Sequence, residues 1–112
     1  MSCIYATKPT AYPLVVPTIQ TLVFQTIDFA ERFNADLYIL GTNFRPYSVI
    51  TFGSYVCNSF YNSAGSLGFR IPPQINARGT YSVQVLNTNY VANAGFPDNT
   101  PLASNQVPFT IV

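Results

Sequence analysis

The stretch Asp36-Leu37-Tyr38-Ile39-Leu40-Gly41-Thr42-Asn43-Phe44, followed by Val49-Ile50-Thr51-Phe52-Gly53, reads as strand, turn, strand, turn. Branched and aromatic side chains crowd a helix and pack well on a pleated surface. Gly41 and Asn43 interrupt the run, and both residue types reach left-handed backbone at low cost. Gly53 repeats the punctuation. This grammar of short apolar runs and turn residues continues to the end of the chain, which predicts an all-β domain.

Working outward, Thr80-Tyr81-Ser82-Val83-Gln84-Val85-Leu86 is the cleanest alternation, with Tyr81, Val83 and Val85 on one face. Leu67, Phe69 and Ile71 share a face in the run before Pro72-Pro73, and Val107, Phe109 and Ile111 share one in the last strand, Gln106–Val112. Residues 14–26 read as a first strand broken by Pro17, with Ile19, Thr21 and Val23 on one side. Residues 27–34 are too short for an independent helix and read as a connection or a single 3-10 turn. Tyr55–Cys57 and Asn58–Tyr61 are two short pieces around a bend, and residues 87–105 form a long polar loop. About seven short strands with little helix is the pattern of an Ig-like β-sandwich. Phe24, Phe44, Phe52, Phe69, Tyr81, Val83 and Phe109 are the expected core. The expected organisation is an extended arm over residues 1–13, where Pro9 and Pro13 remove backbone donors, and one sandwich over residues 14–112.

Composition narrows the function. The 112 residues suffice for one self-sufficient domain. Apolar residues make up 48% and charged residues only 8%, against about 25% in a typical domain. Such a surface is either solvated by its many uncharged polar groups or covered by a partner, and the covered reading is the expectation. Net charge is +1, and Lys8, Arg32, Arg45, Arg70 and Arg78 form no basic stripe. Nucleic-acid binding through phosphate neutralisation is therefore not expected. No run of about 18 apolar residues signals a transmembrane helix. The first residues lack the pattern of a signal peptide. None of the ten asparagines opens an Asn-x-Ser/Thr acceptor.

Catalysis finds few candidates. There is no histidine, and Asp28, Glu31, Asp36 and Asp98 are the only acids. A serine or cysteine nucleophile has no base to activate it. Asp28 and Glu31 beside Arg32 read as a solvated loop, and the scattered glycines lack phosphate-binding spacing. Asp98 with Asn99 offers too little charge for a calcium site. Cys3 and Cys57 without histidine fall short of a zinc site, and both are expected as free thiols, Cys57 as a small buried apolar residue. No catalytic residue, metal or cofactor is expected. What remains is aromatic. Tyr5, Tyr12, Tyr47, Tyr55, Tyr61 and Tyr90 sit near turns or loops, and tyrosine joins apolar area to a hydroxyl, which suits interfaces. Tyr5, Tyr12, Tyr90 and Phe96 are the expected partner contacts.

The chain resembles the IPT/TIG class of Ig-like domains. The likeness rests on Pro17-Thr18-Ile19, Leu37 through Phe44, Val49 through Gly53, Cys57, Ile71-Pro72-Pro73, Gly79 through Val85 and Ser104 through Phe109, and covers roughly Pro17 to Val112. Its most specific part is Gly41-Thr42-Asn43-Phe44. Family members often pair the cysteine after the Phe-Gly turn with one just before the proline turn. Here Phe69 stands in that second place, so the resemblance implies no bridge. Such domains occur in cell-surface receptors, in Rel-type transcription factors, as accessory modules of carbohydrate-active enzymes, and in structural proteins of large DNA viruses. A copy with an added arm, no leader and no sequon looks most like the viral use. The resemblance thus implies a non-enzymatic minor capsid component bridging coat or scaffold subunits, or copies of itself, located in the virion. If it is not viral, a cytoplasmic location is expected. The alternative it implies is a carbohydrate- or ligand-binding accessory module.

Overall fold

The computed structural model describes residues 15–87 and 102–112. Ten strand segments form two packed sheets. They are β1 (Thr18–Leu22), β2 (Thr26–Ile27), β3 (Leu37–Thr42), β4 (Val49–Phe52), β5 (Tyr55–Val56), β6 (Asn58–Ser63), β7 (Ser66–Arg70), β8 (Gly79–Asn87), β9 (Leu102–Ala103) and β10 (Val107–Ile111). One sheet runs β1-β3-β7-β6. The other runs β2-β10-β8-β4-β5, with β9 also on β8.

The ten segments are seven strands, three of them interrupted. The β1/β2 strand leaves one sheet and enters the other, where Thr26 and Ile27 pair in parallel with Thr110 and Ile111. The β5/β6 strand makes the same change at Cys57. The β9/β10 strand stays on β8 but slips register. Ala103 faces Leu86 while Val107 faces Val83, so Asn105 and Gln106 together span the place of one residue. That is the geometry of a bulge. The chain is thus an Ig-like β-sandwich of about seven strands, as its alternation implies.

The core lies between the sheets. Ile19, Leu22, Leu37, Ile39, Leu67 and Phe69 come from one side, and Ile50, Phe52, Val83, Val85, Phe109 and Ile111 from the other. Phe52 is its centre. Its ring lies 5.7 Å from Phe109, 6.3 Å from Phe69 and 5.0 Å from Tyr81. Phe44, Cys57, Ile71 and Ile75 complete the buried set.

Five expectations are corrected. Ile19 and Leu22, three apart, both point inward, because a bulge between Ile19 and Thr21 shifts the alternation. Phe24 is not core but 57% exposed, since it lies on the bend between the sheets. Tyr81 is only half-buried, and its hydroxyl reaches out to the Ala77 carbonyl at 2.7 Å. Gly41 and Thr42 belong to β3, and the turn falls on Asn43, at φ 64°. Asn87, Leu102 and Ala103 are strand residues, not loop. Phe29–Glu31 forms the expected single 3-10 turn.

Candidate interaction surface

The two open sides of the sandwich differ in how they are closed. On one side lie β1 and β2, and there a side chain does the work of a strand. The Asn105 carboxamide accepts from the Ile19 N–H at 2.8 Å and donates to the Ile19 carbonyl at 3.0 Å. The bulge in β9/β10 presents this amide, and the bulge in β1 presents the Ile19 backbone. Ser104 anchors the arrangement, accepting from the Val85 N–H at 2.9 Å. The two sheets are thereby tied together along this side.

One end of the sandwich holds a second polar knot. Asn87 is fully buried. Its Nδ2 donates to the Val15 carbonyl at 3.1 Å and the Asn43 carbonyl at 2.9 Å, and its Oδ1 accepts from Ser48. Ser48 Oγ in turn accepts from the Arg45 N–H at 2.8 Å. The backbone groups of the turn after β3 are satisfied internally, as burial requires.

Among the described residues, the other side, β5 and β6, has no such closure. The strand changes sheet at Cys57, so the edge of one sheet runs directly into the edge of the other. Tyr55 is 42% exposed, Val56 65%, Phe60 39% and Tyr61 41%. Residues 47–69 contain no charged side chain and no proline. Natural sheets commonly guard such edges with lysine, proline or bulges. Of these only a bulge is present, at Asn62, between the pairs Tyr61–Leu67 and Ser63–Ser66.

The apolar surface continues from this edge across the outer face of the four-stranded sheet. Register places Tyr38, Gly68 and Phe60 side by side on β3, β7 and β6. Val23 extends the row beyond β1, its N–H bonded to the Tyr38 carbonyl at 3.0 Å. Phe60 lies over Gly68, where a Cβ would stand 2.0 Å from the ring, and meets Tyr38 edge-on at 6.1 Å. Glycine here lets an exposed aromatic ring rest on the sheet. Asp36 and Arg70 pair at 2.6 Å at one end of this face. Both are well exposed, so the pair contributes little stability.

A smaller apolar cleft of about 250 Å³ opens where the chain changes sheets, lined by Phe24, Thr26, Ile27, Glu31, Ala35 and Leu37. Beside it Arg32 lies over the rings of Phe29 at 3.7 Å and Phe33 at 4.2 Å. Its guanidinium also donates to the Ile75 carbonyl at 2.9 Å and the Phe29 carbonyl at 2.8 Å. Arg32 is therefore committed to holding the 3-10 turn against the body. Asp28 and Glu31 are exposed, as a solvated loop requires.

Cys57 is a buried free thiol. Burial pushes its pKa from 9.0 up to about 12, because the apolar surroundings disfavour the thiolate. The folded pKa is the higher one, so the stability it confers is whole below pH 9 and is lost as pH rises towards 12. Titrating unfolding free energy from pH 8 upward should show a decline that is shallower in Cys57→Ala than in the wild type. Parallel curves would contradict this role. For the same reason, iodoacetamide should label Cys57 slowly at pH 8 until denaturant is added.

The expected contacts Tyr5, Tyr12, Tyr90 and Phe96, the arm over residues 1–13 and Cys3 lie outside the described residues. Sequence reasoning placed Tyr55 and Tyr61 near turns but did not single out the β5–β6 side. The available signal was the uncharged, proline-free run over residues 47–69. Among the described residues, no three His, Cys, Asp or Glu side chains could hold a metal ion. No helix among them is long and apolar enough to cross a membrane. The family model of the IPT/TIG domain matches residues 17–110. No curated protein matches the chain.

Proposed function

Since the chain belongs to the IPT/TIG domain family, we propose that it is a non-enzymatic assembly protein, a minor capsid component seated between larger coat subunits of a virion. The observation that carries this reading is the neutral, aromatic surface running from the β5–β6 edge over Phe60, Tyr38 and Val23. Domains of this family engage protein partners, and an uncharged apolar surface of this kind gains most by being covered. The shortage of charge in the whole chain fits a protein that spends its life in contact. The absence of histidine from the sequence supports a non-enzymatic role. The arm over residues 1–13 supplies a second contact, with Ile4, Tyr5 and Tyr12 as its apolar groups. Deleting residues 2–13 should leave a folded domain, because the core among the described residues runs from Ile19 to Ile111, and should abolish incorporation into the assembly. Incorporation at the wild-type level would refute the arm's part.

A second reading is favoured by one feature. Phe60 and Tyr61 are flanked by Asn58, Ser59, Asn62 and Ser63, and an aromatic ring among neutral amides and hydroxyls suits a sugar. In that case the chain is a carbohydrate-binding accessory module. A glycan array separates the two: specific binding lost in Tyr61→Ala supports the module, and an empty array removes it.

A further inference from the structure

We infer that the β5–β6 side is a self-association surface, and that a second copy of this chain pairs with it edge to edge through β6. A sheet edge carries a row of backbone donors and acceptors, and another strand is what satisfies them. Charge matching selects the occupant. Every side chain of residues 47–69 is neutral, so a strongly charged partner gains nothing here, whereas two copies meet without opposing like charges. The net charge of +1 also leaves little long-range repulsion between copies.

Geometry sets the arrangement. A two-fold axis perpendicular to the sheet keeps the outer face of each copy outward, so residues of one face meet their own kind. The bulge at Asn62 limits regular pairing to Asn58–Tyr61. An axis through Phe60 pairs Ser59 with Tyr61 on either side of it, short of the bulge, and sets the Phe60 ring beside its counterpart. The row Val23, Tyr38, Gly68, Phe60 continues without a break into the second copy. Antiparallel cross-strand aromatic pairs of this kind stabilise sheets. Association stops at two, because among the described residues the opposite side presents β1, whose Ile19 backbone is already taken by Asn105, and the two-residue β2. An isologous contact of this form closes on itself and makes no fibre.

The inference deepens the reading of the chain as an assembly protein, and it fails separately from it. The experiment is sedimentation equilibrium of the full chain over a range of concentrations. The wild type should move from 12.3 kDa towards twice that mass. Phe60→Lys and Tyr61→Lys should each weaken self-association at least tenfold, while Thr80→Lys, on the outer face of the other sheet, should leave it unchanged. Because Phe60 also packs on Gly68, thermal unfolding of each variant establishes that it is folded, and Tyr61→Lys decides the matter if Phe60→Lys is not. A wild type that stays at 12.3 kDa at millimolar concentration overturns the inference, even if it is captured by another protein. Dimers of equal strength in Tyr61→Lys overturn it as well.

Discussion

Replacing Gly41 by alanine is expected to destabilise the fold by about 3 kcal/mol or more, among the larger effects a single methyl group produces. A Cβ at this position would stand 1.9 Å from the Thr18 carbonyl oxygen and 2.7 Å from the Phe44 ring. The first obstacle is backbone and cannot turn aside. Thr18 faces Thr42 and Ile19 faces Gly41 in the β1–β3 ladder, so relief requires β1 to move away. That movement breaks the Asn105–Ile19 clamp as well, because the clamp holds the same stretch of β1. In thermal unfolding followed by circular dichroism, Tm should fall by roughly 10 °C or more. A change under about 2 °C would show that β1 is not held as closely as the clamp implies.

Removing the Asn87 side chain is expected to cost about as much, by a different route. Asn87→Ala strips partners from the Val15 carbonyl, the Asn43 carbonyl and the Ser48 hydroxyl at once. The Ser48 hydroxyl is buried and the two carbonyls are partly so; a polar group left unpaired in such a place costs about 1–3 kcal/mol, and water reaching the carbonyls recovers part of it, leaving a net loss of about 3 kcal/mol. Asn105→Ala also removes two hydrogen bonds, but Asn105 is exposed and water replaces it on Ile19. Its cost should be nearer 1 kcal/mol. Urea unfolding of both variants measures the difference. Equal losses would mean that the burial of Asn87 does not set its importance.

The regular strands were legible because one face of each is buried and period-two alternation records that burial directly. Tyr81, Val83 and Val85 in β8, and Leu67 and Phe69 in β7 with Ile71 just after it, are of this kind. The interruptions were not legible. Alternation assigns Ile19 and Leu22 to opposite faces, and only the bulge opposite Gly41 and Leu40 brings both inward. Phe24 reads as core by its chemistry, yet its place on the bend between sheets leaves it in solvent. Asn87, Ser104 and Asn105 read as loop because they are polar. Their polarity serves the backbone groups that the interruptions leave open. The β5–β6 surface was hidden for a further reason. Its signal is missing charge over residues 47–69, which has no period and falls on no single residue. The arm and the contacts expected at Tyr5, Tyr12, Tyr90 and Phe96 fall outside the described residues.

The central claim is that this domain works by being covered, and cross-linking mass spectrometry on native source material tests it most directly. Lys8 is the only lysine in the chain, so amine-reactive links start from it or from the N-terminal amine, both on the proposed arm. Links from these two amines to other proteins of an assembly, or to a second copy of the chain, are the predicted result. A chain recovered as a free monomer, with links only to itself, would contradict the account.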